Sequence, residues 1–317
     1  MLGSRFVAVI MILLSAVAMW NAWTVFVTGE PAGAGAFASV PVVNPGAESL
    51  WLGVNMALVF VVMLAMAVLN RTYILLHTTS ILYAGLFMVM EAGSSLITAS
   101  DMSGTVLCLT VMVGLYIMYS CYQMPGYTRS IFLVFLLLSA GCIWQWAFVV
   151  YIPVMILGCG QMRCLSMRSF LAAVIGVVTP VWILWGFGVI SLQDFTLPQV
   201  RTVFAYLHSY DSCRPVAIMA VTVIAGFMAT VSNLVKIYGS NARTRAFNGI
   251  LTTITLVTQL MCVVDFGRLE AYMPLLNCCT AWQLAQYFRI NGDKRAYFSI
   301  VLLLVIYACL YLWSVWG

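Results

Sequence analysis

The chain has 317 residues, of which 64% are hydrophobic and 7% charged, with a formal net charge of +5. A soluble domain carries about 25% charged residues and needs a polar exterior, so this composition excludes a water-soluble globular protein and makes the bilayer the solvent. The fourteen basic residues stand singly or in pairs at the ends of apolar runs, with no basic block interleaved with aromatics, so nucleic acid is not an expected partner.

Apolar runs follow one another along the whole chain, at 6–28, 50–69, 73–97, 104–120, 130–143, 146–161, 169–192, 216–237, 246–264, 271–288 and 296–316. They are continuous and near helix length, whereas barrel strands alternate apolar and polar over about ten residues. The expectation is all-α: one polytopic transmembrane helix bundle over residues 1–317, with about eleven spans (10–11). Arg5 precedes a first run too long for a signal-peptide core, and Ala36-Phe37-Ala38 lies well beyond its end, so a retained first span is expected. The runs 130–143 and 146–161 are short for full crossings and are joined only by Trp144-Gln145-Trp146; two tilted spans or a re-entrant hairpin both fit. Pro153 and Pro180 fall inside runs, where neighbouring helices tolerate a kink.

A cytoplasmic N-terminus and external C-terminus put Arg5, Arg71, Arg129, Arg163, Arg168, Lys236, Arg243, Arg245, Arg289, Lys294 and Arg295 inside, and Arg201, Arg214 and Arg268 outside. That is the bias the positive-inside rule requires. The longest external stretches are 29–49 and 193–215. In the second, Val200, Val203, Phe204 and Leu207 form one apolar stripe at helical spacing, which predicts a short amphipathic helix on the outer surface. The ten cysteines show no disulfide or metal spacing, most lie within runs, and Cys278 and Cys279 are adjacent rather than in a C-x-x-C arrangement. No metal site and no cofactor are expected.

Ionisable groups within a membrane are costly and point to function. Glu91 lies about 9 Å inside the outer end of its run and shares a helical face with His77. It reads as a proton-handling or ligand-binding acid, or as a structural carboxyl bonded between helices. Asp265, Arg268 and Glu270 form the densest charged cluster, in a tight external turn. Arg268 could hold a phosphate while Asp265 serves as base, or the trio could be a salt-bridged turn. Arg201, His208 and Arg214 in the other charged external loop suit recognition of a lipid phosphate, or simple headgroup contact. Asn248, Thr252, Thr255 and Gln259 share one face, as do Asn277, Thr280 and Gln283 on the next run; interhelical hydrogen bonds or a lined cavity explain both. A charged midplane site on a broken helix, usual in transporters, is not evident.

The run Asn70-Arg71-Thr72-Tyr73, and the short-hairpin region ending in Arg163-Cys164-Leu165-Ser166-Met167-Arg168-Ser169-Phe170, resemble a family of uncharacterised multi-pass bacterial inner-membrane proteins. The layout is also similar to glycosyltransferases and polymerases that use polyprenyl-phosphate-linked sugars. Their C-type members place a catalytic acid in the first external loop, where this chain has Glu30 and Glu48 without a paired-acid motif. The resemblance implies the bacterial cytoplasmic membrane and a lipid-linked sugar transferase or polymerase acting at its external face. Asp265 or Glu91 would be the catalytic base, and Arg201, His208, Arg214, Arg268 and Glu270 would bind substrate. The alternatives are a non-catalytic subunit of an envelope assembly and a proton-coupled transporter using Glu91. Expected partners are membrane lipids, including a polyprenyl-phosphate lipid, and other membrane proteins.

Overall fold

The computed structural model describes residues 5–26, 48–73, 75–76, 81–99, 101–188, 200–206, 213–236, 241–290 and 294–316. Among them, all regular structure is helical: α1 (Arg5–Phe26), α2 (Glu48–Tyr73), α3 (Leu82–Gly93), α4 (Ser95–Thr98), α5 (Ser103–Ser120), α6 (Thr128–Trp144), α7 (Ala147–Gln161), α8 (Met167–Gly186), α9 (Cys213–Lys236), α10 (Ala242–Val264), α11 (Leu269–Ile290) and α12 (Lys294–Trp316). Hydrocarbon offers backbone N–H and C=O groups no partner, so a chain this apolar satisfies them within helices. α1, α2, α5, α8, α9, α10 and α12 are long and apolar enough to cross a membrane, which makes this a multi-pass membrane protein. α3, α6 and α7 are apolar but have only 12, 17 and 15 residues.

Two expectations are corrected. The run 73–97 is not one helix, because α2 continues to Tyr73 and the next helix starts at Leu82. Asn70 and Arg71 therefore belong to the last turns of α2, where Asn70 Oδ1 accepts the Leu76 N–H at 3.0 Å. The face read as shared by His77 and Glu91 cannot be followed, because His77 lies outside the described residues. The amphipathic surface helix is also not seen among the described residues. Val203–Ala205 is a single 3-10 turn with Val203 buried, while Val200 and Phe204 are exposed, so the three do not share an environment. Leu207 lies outside the described residues.

The centre of the bundle is α11. α3, α4, α5, α9 and α10 all pack on it, and nearly all of its residues are buried. Its Asn277, Thr280, Gln283 and Gln286 could not face lipid, so the helix is enclosed by its neighbours. α8 lies on the outside, packing on α6 and exposing Phe170, Leu171, Ile175 and Trp182.

Side-chain pairs give the helix directions. Ser94 meets Asn277 and Tyr83 meets Trp282, so α3 is antiparallel to α11. Gly226 meets Thr280 and Asn233 meets Gln283, so α9 is parallel to it. Thr252 with Gln283, and Gln259 beside Thr280 over Gly226, set α10 antiparallel. Gly104 with Pro274, and Cys108 with Cys278, set α5 parallel. Tyr151 with Thr258 and Gly158 with Ile250 run α7 against α10. The bundle thus has two distinct ends. One holds Asp101, Arg214 and the turn 265–268; the other holds Arg71, Arg129, Arg163, Arg168, Lys236, Arg243, Arg245 and Arg289.

A close approach locks α5 to α11. Pro274 has no N–H to give the Glu270 carbonyl, and Gly104 lies against that carbonyl and the proline ring, where a Cβ would overlap both. Gly104→Val is expected to cost at least about 2 kcal/mol through overpacking, read as a lower thermal midpoint and loss of monodisperse protein in detergent. Gly160→Ala, which meets open space, should leave both unchanged; equal behaviour of the two variants would contradict this packing.

Candidate functional site

Glu91 sits near the end of α3 and is fully enclosed. The residues around its carboxyl are Asn277, Cys108, Cys278 and Tyr307, contributed by α11, α5 and α12. The Asn277 amide lies beside the carboxyl, and its Nδ2 donates to Ser94 Oγ at 2.8 Å. Both Glu91 carboxyl oxygens and Asn277 Oδ1 are left without a hydrogen-bond partner in the protein. Tyr307 closes the space, with its hydroxyl 2.7 Å from Thr222 Oγ1 and its ring filling the place of a Gly93 Cβ. Burying a carboxyl with no cation beside it among the described residues and only the Asn277 amide nearby costs several kcal/mol if it is charged.

The helix carrying Glu91 is broken beside it. α3 ends at Gly93, Ser94 has φ −100° and ψ 12°, and α4 resumes at Ser95. Ser94 Oγ turns back to the Met90 carbonyl at 2.9 Å, competing with the helical ladder. The break lies about 12 Å along α11, counted from Leu269 to Asn277. Gly93-Ser94 was the available signal, since Gly/Ser pairs kink helices.

Glu91 stands within a column of polar side chains. Towards one end come Thr98, Asn55 and Thr105: Asn55 Nδ2 donates to the Thr98 carbonyl at 3.3 Å, and Thr105 Oγ1 donates to Asn55 Oδ1 at 2.8 Å. Asp101, at that end, accepts from the Ser103 N–H at 2.9 Å and from its hydroxyl. Towards the other end, Thr280 Oγ1 and Gln259 Nε2 converge over Gly226, and neither has a partner. Asn233 Nδ2 then donates to the Gln283 carbonyl at 2.8 Å and to its Oε1 at 2.9 Å, and Gln283 Nε2 reaches Thr252 Oγ1 at 3.3 Å. Buried Asn248 has neither side-chain group paired. Thr255 is merely bonded to its own helix, at the Leu251 carbonyl.

The external cluster is built differently. Asp265 is 2% exposed. Its Oδ2 accepts from the Tyr272 hydroxyl at 3.3 Å and lies 3.9 Å from Arg268 Nη1. Arg201 joins it through the backbone, its carbonyl accepting the Gly267 N–H at 3.4 Å, and Tyr206 packs on Phe266 with ring centroids 5.2 Å apart. Glu270 is half-buried in the first turn of α11, and Arg214 half-buried in the first turn of α9. Because α9 and α11 are parallel, Arg214 stands at the same end but is not joined to the turn by a described contact. His208 lies outside the described residues. The structure therefore brings Arg201, Asp265 and Arg268 together and places Glu91 apart from them, deep between the helices.

Burial pushes the Asp265 carboxyl above its ordinary value of 3.8, with Arg268 and Tyr272 pulling it partly back. An acid raised in the folded state favours folding fully below its ordinary value and loses that contribution as pH rises through the folded value. Wild-type protein is thus expected to lose thermal stability as pH rises from about 4. Asp265→Asn should flatten that slope and be no less stable at neutral pH. A steep loss for the variant at neutral pH would make the turn a salt bridge on which the fold depends.

No family model matches the chain, and no curated protein or solved structure matches it either.

Proposed function

We propose that this protein is a proton-coupled transporter of a small polar or lipidic solute, with Glu91 as the coupling acid. The observation that carries the reading is the enclosed, unpaired Glu91 carboxyl beside a helix break, inside a polar column running from Asp101 to Gln283. Interhelical glue would pair its polar atoms, whereas a route for protons or solute keeps some to be satisfied in turn by water or solute. Proton transfer to and from Glu91 would change the charge of the column at its middle and bias which end opens.

In this reading the chain crosses the bilayer eleven times, with a cytoplasmic N-terminus and external C-terminus, in a bacterial cytoplasmic membrane. Support comes from the alternating helix directions and from the gathering of basic residues at the end opposite Asp265. α6 and α7, about 26 and 22 Å long, would cross with the membrane thinned or as a tilted pair.

A second reading, a lipid-linked sugar transferase or polymerase at the external face, is favoured by the pairing of Arg268 with Asp265 in a turn to which Arg201 is joined through its backbone. Proteoliposomes with an entrapped pH dye, an imposed proton gradient and an added small-molecule extract separate the two. On the transport reading, wild type and Asp265→Asn carry protons faster than empty vesicles, and Glu91→Gln falls to the empty-vesicle rate. Equal flux in wild type and Glu91→Gln would sink it. Retention of a polyprenyl-phosphate lipid by wild type and its loss in Arg268→Gln, read by native mass spectrometry, would then decide for the transferase.

A further inference from the structure

A cleft of about 430 Å³ opens at the basic end of the bundle, away from both sites above. Its walls are the α5–α6 loop at Tyr122 and Gln123, the end of α7 at Gln161 and Arg163, and the first turns of α10. α10 presents Ala242, Ala246 and Gly249 on one face, and these small residues make the hollow. Arg245 stands among them.

The loops at the ends of α5 and α7 are fastened to each other. Gln123 and Arg163 have φ of 58° and 54°, a left-handed conformation uncommon for residues with a side chain. The Gln123 N–H donates to the Met162 carbonyl at 3.0 Å and so fastens one loop to the other. Gln161 is fixed in turn, its Nε2 donating to Thr253 Oγ1 at 3.1 Å. A Cβ on Gly249 would stand 3.1 Å from Gln161 Oε1, so glycine leaves room for that amide.

Arg163 and Arg245 make no ion pair among the described residues. The neighbouring Arg243 differs, since its guanidinium lies 5.3 Å over the Phe247 ring. Two guanidiniums lining one hollow, neither in an ion pair among the described residues, form a receptor for a doubly hydrogen-bonding anion. Below the cleft, Leu157 on α7 and Leu256 and Leu260 on α10 are exposed towards the hydrocarbon. This apolar surface continues the path that an acyl chain would follow from a headgroup held above it.

We propose that this cleft binds a phosphate group, gripped between Arg163 and Arg245, carried by an anionic phospholipid or by a soluble phosphate compound. The site is independent of Glu91 and does not rest on the transport reading.

The test is native mass spectrometry of the full chain in micelles doped with equal phosphatidylglycerol and phosphatidylcholine, with inorganic pyrophosphate in a parallel thermal-shift titration. For a lipid source, wild type retains phosphatidylglycerol preferentially, and Arg163→Gln/Arg245→Gln loses about tenfold of that preference. Gly249→Leu, which fills the hollow without changing charge, should lose it too. For a soluble source, pyrophosphate stabilises wild type but neither altered protein, and the two lipids are retained equally. Equal lipid retention with no pyrophosphate effect, or a preference unchanged in the double-arginine variant, would overturn the proposal. Both arginines are exposed, so their replacement leaves the folded bundle available for measurement.

Discussion

Polar side chains cannot be left facing hydrocarbon, and this constraint determines where the helices go. α11 carries Asn277, Thr280, Gln283 and Gln286 along its length. Such a helix is stable in a membrane only with neighbours on every side, and α3, α4, α5, α9 and α10 supply them. The outer helices need no such cover, and α8 shows lipid its leucine, isoleucine and tryptophan side chains. The inversion relative to a soluble protein is direct: the core holds the polar residues because the solvent is oil.

Enclosure leads to chemistry because it is incomplete. Close contacts at Gly104 and Gly226 bring helices near enough for polar groups to meet. Thr105 with Asn55, and Asn233 with Gln283, are paired as packing requires. Glu91, Ser95, Asn248, Gln259 and Thr280 keep atoms with no protein partner. Each such atom in an interior costs free energy unless water, an ion or a solute serves it. Their position on the central column, with the helix broken at Ser94, concentrates that cost where a moving proton or solute could use it.

Much of the fold was legible in the sequence, because long apolar runs have one common solution in a bilayer. The helical pattern, the polar faces of α10 and α11, and the separation of Arg201, Asp265 and Arg268 from the basic end follow from composition and spacing. The break at Ser94 was harder to read, since Gly93-Ser94-Ser95 also occurs in unbroken membrane helices. The extent of α2 was misread because Asn70 and Arg71 look like a loop, yet they complete its last turns. The stripe through Val200 and Phe204 failed as a helix because the neighbouring turn at 265–268 captures Arg201 and Tyr206 instead, a tertiary contact with no local signature. The Arg163–Arg245 cleft was out of reach for the same reason: it joins three chain segments lying between Tyr122 and Gly249, each unremarkable alone.

The central claim is that water reaches the polar column around Glu91. Radiolytic hydroxyl footprinting tests it, because radicals formed from bound water modify the side chains beside that water. The account expects rapid modification of Cys278, Trp282 and Tyr307, although each is at most 1% exposed, and slow modification of lipid-facing Trp182. Modification confined to the helix ends, with these three untouched, would mean a dry, sealed interior and would contradict it.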